Sequence, residues 1–359
     1  MKIAQVCPRF YPHIGGVETH VYELSKRLVK DFEVEIITTD PTRKLPKIEE
    51  IDDIIVRRFK SFAPSNAYHI SPDMYIFLKK HSYKYNIIHT HSYHALPALF
   101  ASLAKDNKNK FIFTPHYHGR GHTFIRNILH KPYKILGRKI FDKSDAIICV
   151  SKFEKNLVLK DFRVNPSKVY VIPNGINFDE FRGVDQIKGR KSQSEKIILY
   201  VGRLEKYKGI EYIISALAKL GKEYVLEIVG KGSYKQNLIY LARKLGVLDR
   251  IRFYQDLNRN ELIEKYAKAD VLVLLSKYEA YGIVIAEALA AKTPCIVANT
   301  SALCEWIDNQ NVFGIDYPID IDSLAKLVED VAGKKVGNVK KLISWDEVVE
   351  KLKNVYGGN

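Results

Sequence analysis

Two cations follow one predicted strand in the second half of the chain. Arg203 and Lys208 lie after the apolar strand Lys196–Val201 and just before a helical segment. Ligands of parallel α/β sheets bind at the carboxyl ends of the strands. A planar Arg fork and a compact Lys charge together suit a diphosphate. The pattern therefore predicts an anion clamp at this sheet edge.

Two glutamates flank a glycine that opens another predicted helix. Glu279 lies in the loop after a strand, Gly282 leads into the helix, and Glu287 lies on its second turn. The first amides of such a helix attract an anion. Carboxylates beside a phosphate site accept hydrogen bonds from hydroxyls, such as those of a sugar or a ribose. Two solvated glutamates are the alternative, which the neighbouring anion clamp disfavours.

A glycine pair opens the first predicted helix of the chain. Gly15 and Gly16 follow the strand Lys2–Cys7, so backbone amides could meet an anion there. A tight strand–helix turn is the alternative. Neither this pair nor the Gly230–Ser233 segment completes the GxGxxG pattern, which argues against a dinucleotide-binding fingerprint.

Four histidines mark two predicted strand ends in the first half. His89 and His91 close one strand, and His116 and His118 follow the next. They could point into a site or be hydrogen-bonded core imidazoles. They could also bind a metal ion, but no carboxylate or cysteine joins them at a useful spacing. We therefore predict no metal site and no cofactor.

The elements that position these groups alternate between short apolar strands and helices, from Lys2–Cys7 to Val169–Ile172 and again from Lys196 onward. This alternation predicts an α/β fold with parallel sheets covered on both faces. The polar stretch 177–195 interrupts this alternation and is predicted to be a linker. We therefore expect a domain over 1–176 and a second over 196–335, with a cleft where their sheet edges face each other.

The composition limits the kinds of partner and the cellular compartment that we expect for this chain. The chain has 359 residues, 46% of them hydrophobic, which excludes wholesale disorder. Its net charge of +16 suggests an anionic partner, although a solvated lysine surface would look the same. The four cysteines form no CxxC pair and read as buried free thiols of a reducing compartment. With no signal peptide or membrane span predicted, we expect a cytoplasmic protein.

Taken together, these motifs resemble the retaining nucleotide-sugar glycosyltransferases of family 4, which have the two-domain GT-B fold. The resemblance runs nearly end to end and depends on the order and spacing of the motifs. Its specific parts are Gly15-Gly16, Thr114-Pro115-His116, Val171-Ile172-Pro173-Asn174-Gly175-Ile176, Val201-Gly202-Arg203, Lys208-Gly209, and the Glu279/Glu287 pair.

The resemblance implies a role for each matching residue. Glu287 resembles the carboxylate that binds the donor ribose, and Glu279 resembles the one that contacts the transferred sugar. Arg203 and Lys208 resemble the pair that neutralises the diphosphate, and His116 resembles the histidine beside the sugar. The implied catalytic set is therefore His116, Arg203, Lys208 and Glu279. The implied donor-binding set is Gly15, Gly16, Gly202, Gly230, Tyr281, Gly282, Ile283, Val284 and Glu287.

The family also implies a reaction. A hexose-type sugar moves from a nucleotide-diphosphate sugar to a hydroxyl acceptor, with retained configuration and without a metal ion. The acceptor is a sugar, a polyol or a lipid-linked molecule. A C-terminal helix within 340–359 is expected to cross back to the first domain. The pattern departs from the family at Ala280, Tyr281, Lys292, Asn177 and Thr300-Ser301-Ala302, which leaves the sugar open but not the class.

The acceptor side is predicted from the first half. His91, His118 and Arg120 are assigned to it, and basic residues alternate with apolar ones over Arg120–Lys143. Such a surface suits an anionic membrane, so a peripheral position on the cytoplasmic membrane face is an added expectation. A helix that packs on the core and exposes a charged face is the alternative.

Other classes fit less well. A nucleic-acid-binding protein would explain the charge, but no helix-turn-helix, zinc finger or RNP-like motif is found, so no nucleic acid is expected. A sugar-nucleotide epimerase on the same fold would convert donor without an acceptor. A phosphorylase of the glycogen type would need a far longer chain, and a Rossmann dehydrogenase would need the missing glycine fingerprint.

Overall fold

The computed structural model describes residues 1–64, 68–119, 124–189 and 194–357, with the backbone alone for 124–132. It contains two compact units. The first comprises Met1–Gly175 and Trp345–Asn359, and the second comprises Ile176–Ser344. Among the described residues, no helix combines the length and the apolar character that crossing a bilayer requires.

The first unit is an eight-stranded sheet in the order β3-β4-β2-β1-β5-β6-β7-β8, parallel except for the β3–β4 pair. Its central strands are buried on both faces, which explains their continuous apolar runs. The strands are β1 Lys2–Val6, β2 Glu33–Asp40, β3 Ile48–Ile51, β4 Ile54–Lys60, β5 Ile87–His91, β6 Lys110–Thr114, β7 Ala146–Cys149 and β8 Val169–Val171. The helices among them are α1 Gly16–Leu28, α2 Pro72–His81, α3 Leu96–Ala104, α4 Phe124–Lys143 and α5 Lys152–Phe162.

The second unit is a six-stranded parallel sheet in the order β11-β10-β9-β12-β13-β14. Apolar side chains from its strands and helices form one continuous core. The strands are β9 Lys196–Val201, β10 Tyr224–Val229, β11 Ile251–Tyr254, β12 Val271–Leu274, β13 Cys295–Ala298 and β14 Val312–Ile315. The helices are α6 Val184–Gly189, α7 Ile210–Leu217, α8 Lys235–Lys244, α9 Arg259–Lys268, α10 Ile283–Ala290 and α11 Ile321–Val331.

The last helix, α12 Trp345–Gly357, belongs to the first unit and packs against α1. The Trp345 ring lies 5.7 Å from the His20 ring, centroid to centroid. The Tyr356 hydroxyl accepts a hydrogen bond from Gln5 Nε2 on β1 at 3.1 Å. The C-terminus thus completes the core of the unit in which the chain begins.

Two sequence predictions differ from the structure. Residues 177–189 of the stretch predicted as a linker belong to the second unit, because Phe181 and Val184 are buried in its core. Cys7, Cys149 and Cys295 are buried free thiols, whereas the Cys304 side chain is exposed. Cys304 lies in a short helical turn after β13, in which Ala302 and Leu303 occupy the buried positions.

Candidate active site

The predicted anion clamp lies at the carboxyl end of β9. After Gly202 the chain forms a short 3₁₀ turn that ends at Lys208, and Gly209 is the N-cap of α7. Gly209 has φ of 71°, and a Cβ there would lie 2.5 Å from the carbonyl oxygen of Leu275. Only glycine fits this combination of conformation and close approach. The turn therefore fixes Lys208 against the strand that precedes Glu279.

Lys208 and Glu279 form a buried ion pair. Lys208 Nζ donates to Glu279 Oε1, and Lys208 is 9% exposed. Burial opposes the charge, but the Glu279 carboxylate and the neighbouring Tyr207 together raise the pKa of the Lys208 ammonium. The sequence predicted both residues, and the structure brings them into direct contact. The ammonium is held charged, as an anion-binding group needs to be.

Arg203 is the more exposed member of the clamp. Its Nη2 donates to the Tyr207 hydroxyl at 3.0 Å. The Tyr207 carbonyl accepts from the amide of Lys277, which ties this turn to the loop after β12. Tyr207 was not predicted from the sequence, although it lies between the two predicted cations. Its hydroxyl orients the guanidinium that an incoming anion would meet.

Gly202 and Gly230 are explained by a close approach of two strand ends. Their φ angles are 151° and 146°. A Cβ on Gly230 would lie 1.9 Å from the Gly202 carbonyl oxygen, a separation that no side chain permits. Their lack of side chains therefore has a structural cause, and their predicted contact with a donor stays a prediction.

The Glu279 loop is braced by residues that depart from the family pattern. The Glu279 amide donates to Ser301 Oγ at 3.0 Å, and the Glu279 carbonyl accepts from the Ala302 amide at 3.3 Å. The Tyr281 carbonyl accepts from Trp306 Nε1 at 2.8 Å, and the two rings pack edge to face. These bonds fix the backbone immediately before the glycine that opens α10.

Gly282 adopts a φ of 90° as the N-cap of α10, a conformation that favours glycine. The first amides of a helix lack partners within the helix, so those that follow Gly282, including Ile283 and Val284, can face an anion. The structure therefore places an anion-attracting helix start immediately after the loop that carries Glu279.

Glu287 is buried on the second turn of α10 and has two partners that the sequence did not reveal. Arg259 Nη1 donates to Glu287 Oε1 at 2.5 Å, and the Tyr266 hydroxyl donates to Oε2 at 2.8 Å. Arg259 also donates from Nε to Glu180 at 2.7 Å. The two carboxylates raise the pKa of the Arg259 guanidinium against the opposing effect of burial. Arg259 and Tyr266 lie on α9, so only the packing of α9 on α10 reveals them.

The predicted glycine pair in the first unit has two separate explanations. A Cβ on Gly15 would lie 2.5 Å from Glu18 Oε2, and Glu18 is paired with Arg9 at 3.0 Å. A Cβ on Gly16 would meet nothing within 4 Å. A side chain at Gly15 would therefore displace the Glu18 carboxylate from its present position. Gly16 faces open space, which leaves its predicted contact with a ligand open.

The predicted histidines separate into two groups. His91 and His116 lie near His20 of α1, with ring centroids 5.4 and 5.0 Å from the His20 ring. His118 instead stacks on His94 at 4.5 Å. The structure therefore brings His91 and His116 together and gives His118 a different ring partner. Arg120 lies outside the described residues, and the roles predicted for these side chains stay predictions.

His89, which closes the same strand as His91, is a hydrogen-bonded core imidazole. Its Nδ1 lies 2.8 Å from the Tyr356 hydroxyl, and its Nε2 lies 2.8 Å from Thr114 Oγ1. Burial holds the pKa of His89 well below its usual range. Both ring nitrogens have partners, so His89 is a structural member of the core.

Sheet order and parallel strands place the chain in the class of two-domain, Rossmann-like GT-B proteins. The protein-family model described as "Glycosyltransferase Family 4" matches residues 14–180, and the family model described as "Glycosyl transferases group 1" matches residues 182–342. An uncharacterized glycosyltransferase of Methanocaldococcus jannaschii is 32% identical, over 99% of this chain and 98% of the relative. The chain therefore belongs to the glycosyltransferase family that these models describe, as the sequence motifs predicted.

More distant relatives and solved structures agree on the fold. A D-inositol 3-phosphate glycosyltransferase of Corynebacterium diphtheriae is 23% identical, over 96% of this chain and 90% of the relative. Sucrose-phosphate synthase from Thermosynechococcus elongatus superposes with a TM-score of 0.84 at 22% identity, covering 99% and 98% of the two chains. Anabaena HepE in complex with UDP and glucose gives a TM-score of 0.81 at 14% identity, covering 100% of both chains.

Proposed function

We propose that this glycosyltransferase moves a hexose-type sugar from a nucleotide-diphosphate sugar to a hydroxyl acceptor, with retained configuration and without a metal ion. The observation that carries the proposal is the buried Lys208–Glu279 pair beside Arg203, next to the helix start at Gly282. The group holds fixed positive charge for a diphosphate and a carboxylate for sugar hydroxyls. That the solved Anabaena HepE structure contains UDP and glucose supports this donor class.

The cations act on the leaving group. As the bond between the sugar C1 and the phosphate oxygen breaks, negative charge grows on the diphosphate. Lys208 and Arg203 stabilise that charge, since their positions are fixed before the reaction by Glu279 and Tyr207. In this role they replace the divalent cation that a diphosphate leaving group otherwise needs. Glu279 accepts hydrogen bonds from hydroxyls of the transferred sugar and holds its ring in place.

The nucleoside half of the donor binds at Glu287. Ribose hydroxyls donate to this carboxylate, which Arg259 and Tyr266 already hold in place. A carboxylate held by two donors loses little side-chain entropy when the ribose arrives. Arg259 therefore has a positioning role in donor binding.

Retention follows from attack on the same face that the leaving group departs from. The acceptor oxygen forms the new bond to C1, the C1–phosphate oxygen bond breaks, and a phosphate oxygen takes the acceptor proton. The nucleoside diphosphate leaves with that proton. This course assigns the base to the donor itself rather than to a protein side chain.

The first test is a thermal-shift panel of UDP-, GDP- and ADP-sugars in EDTA. A true donor at about 100 times its Kd should stabilise the chain by about 2.7 kcal/mol. We expect one nucleotide class to stabilise the wild type and to have no effect on Glu287→Ala. Glu329→Ala, an exposed glutamate of α11, is the matched control and should respond as the wild type does. No response to any nucleotide sugar would refute the proposed donor class.

Turnover without metal and its stereochemistry are then measured together. With the donor found in the panel, EDTA-treated chain should transfer sugar to a polyol or sugar acceptor, with the anomeric configuration unchanged by proton NMR. An inverted product would refute retention. Loss of turnover in EDTA that Mg²⁺ restores would refute metal independence. Donor conversion without acceptor would favour the epimerase alternative.

The membrane expectation is supported by α4. Ile135 and Leu136 are 73% and 45% exposed on this basic helix. We propose that this face contacts anionic lipid when the acceptor is lipid-linked, at a cytoplasmic membrane surface. Vesicles of anionic lipid should sediment the wild type, and Ile135→Glu should weaken that binding. Equal sedimentation of both chains would refute the role of α4.

A further inference from the structure

The segment that the sequence predicts as a linker supplies a carboxylate to the surroundings of Glu287. Glu180 lies in the short 3₁₀ turn Phe178–Phe181, which packs against α9. Its Oε2 accepts a hydrogen bond from Arg259 Nε at 2.7 Å, and the same guanidinium donates from Nη1 to Glu287 Oε1 at 2.5 Å. One arginine therefore connects this turn to the carboxylate that we assign to the donor.

Glu180 is held in place by its own turn. The side-chain amide of Asn177 donates to Glu180 Oε1 at 3.0 Å. Phe181 is buried in the core of the second unit, and its ring centre lies 5.7 Å from the Arg259 guanidinium carbon. An aspartate at position 177 could not donate the bond to Glu180. The departure from the family pattern at Asn177 therefore has a local structural reason.

Arg259 uses its guanidinium differently from a second arginine of the same unit. Arg252 donates from Nη1 and Nη2 to the two oxygens of Glu195, at 2.9 and 2.6 Å. This is the bidentate pairing that arginine frequently forms with a carboxylate. Arg259 instead divides its N–H groups between two carboxylates and forms one bond with each. Glu180 is the residue that takes the second of these bonds.

The single bond from Arg259 determines how many acceptor positions Glu287 keeps. A carboxylate has about four lone-pair positions, two on each oxygen. Arg259 occupies one position on Oε1, and the Tyr266 hydroxyl occupies one on Oε2. One position therefore remains on each oxygen, which suits two neighbouring hydroxyls. A bidentate Arg259 would occupy a further position and leave a single one for both hydroxyls.

We propose that Glu180 is a positioning residue for donor binding, because it restricts Arg259 to one bond with Glu287 and so keeps an acceptor position open on each Glu287 oxygen. This role rests on the proposed function, in which Glu287 binds the ribose hydroxyls. Glu180 acts through Arg259, so its removal should affect donor binding only while Arg259 is present.

A double-mutant cycle on the full-length chain tests this role. The Kd of the donor found in the thermal-shift panel is measured by calorimetry for the wild type, Glu180→Ala, Arg259→Ala and the double variant. Glu180→Ala should weaken donor binding about 10-fold, the loss typical of one charge-assisted hydrogen bond. In the Arg259→Ala background the same substitution should change the Kd by less than about twofold, whereas independent contributions would multiply to about 100-fold.

Turnover and stability distinguish positioning from a general structural defect. The Glu180 side chain is 27% exposed, so Glu180→Ala should keep the Tm of the wild type. Its kcat at saturating donor should also stay near that of the wild type, while the KM for the donor rises with the Kd. Glu195→Ala, which removes the carboxylate of the bidentate pair with Arg252, is the matched control and should keep the wild-type Kd.

A crystal structure of Glu180→Ala reports the rearrangement directly and should show two bonds from Arg259 to Glu287. A single bond in that structure would overturn the role of Glu180. Donor binding by the wild type with an unchanged Kd in Glu180→Ala would overturn it as well, and so would an equal loss in the Arg259→Ala background. These results would leave the proposed function intact, whereas no donor binding by the wild type would overturn both.

Discussion

The charged site of the second unit and the histidine group of the first differ in how they bury polar side chains, although the first unit also contains buried ion pairs such as Glu18–Arg9. In the second unit, Lys208 pairs with Glu279 and Arg259 pairs with Glu287, so each buried charge meets its opposite. In the first unit, the buried histidines around His20 meet amides, hydroxyls and one another, and burial removes their charge by lowering their pKa values. The site of the second unit therefore consists of charged side chains, whereas the group around His20 consists of neutral imidazoles.

The difference shows which ligands each region can take. Fixed charges suit an anion whose charge grows during a reaction, because they need no reorganisation as it grows. Neutral imidazoles carry no fixed charge with which to attract a phosphate, and they act instead as hydrogen-bond donors and acceptors. The two groups of residues can therefore be changed by separate substitutions.

The largest effect is expected from breaking the charged pair. Lys208→Ala and Glu279→Ala should each lower turnover about 100-fold or more, because one removes a charge that faces the leaving group and the other removes the partner that holds it. Initial rates with the donor found in the thermal-shift panel measure this. Lys219→Ala breaks an exposed pair with Asp322 and should stay within twofold of the wild type. A rate near that of the wild type in either variant would refute the assigned site.

The next prediction concerns the buried histidines around His20 and the pH at which the His20 ring becomes protonated. His20 should stay neutral at pH 6, since burial lowers its pKa to about 4 in the folded state against 6.5 for an ordinary histidine. The unfolded chain therefore binds this proton first, so the contribution of His20 to stability is present above pH 6.5 and is lost as the pH falls toward 4. Imidazole ¹⁵N shifts from pH 7.5 to 4.5 report the ring directly. A midpoint near 6.5, or a proton on Nε2 of neutral His20, would contradict the described hydrogen bonds.

A smaller effect is expected from the partner of Glu287. Arg259→Ala should weaken donor binding about 10-fold, the loss typical of one charge-assisted hydrogen bond of about 1.5 kcal/mol. It should leave turnover at saturating donor little changed, because Arg259 acts through Glu287. Arg252→Ala, which breaks an exposed pair with Glu195, is the matched control. An unchanged Kd for the donor in Arg259→Ala would refute the positioning role of Arg259.

An effect on stability alone, and none on the donor site, is expected where α12 closes the first unit. Tyr356→Phe removes a hydroxyl bonded to Gln5 and His89, and should lower the free energy of unfolding by about 1–3 kcal/mol. Thermal melting of this variant should show a Tm lower by several degrees. Tyr240→Phe, at a side chain that is 71% exposed, should not change the Tm. An unaltered Tm in Tyr356→Phe would mean that water replaces the hydroxyl.

Most of the fold could be predicted because its strands are short apolar runs buried on both faces. The strands β3 and β14, which the sequence analysis does not predict, are not such continuous apolar runs. β3 carries two glutamates at a sheet edge and pairs antiparallel, and β14 contains Gly314. α2 and α3 were also missed, although Ser71 caps α2 and proline opens both helices. Edge strands and short helices depend on neighbours that are distant in sequence.

The residues of the candidate site likewise fall into those that the sequence predicts and those that it does not. Arg203, Lys208, Glu279 and Glu287 could be predicted because each follows a strand or helix boundary that the local sequence marks. Their partners could not, since Tyr266 and Arg259 reach Glu287 from another helix. The role of Ser301, which braces the Glu279 loop, was likewise hidden by its departure from the family pattern.

The sequence alone determined the class of fold, the order of its strands along the chain, and the residues that carry charge at the strand ends. Those properties follow from local periodicity, glycine conformation and residue type. The tertiary structure decided which charges meet, which imidazoles lose their protons to burial, and that His20, His91 and His116 share one place. Such convergence depends on how α1 packs on the sheet, and no local stretch of sequence encodes that packing.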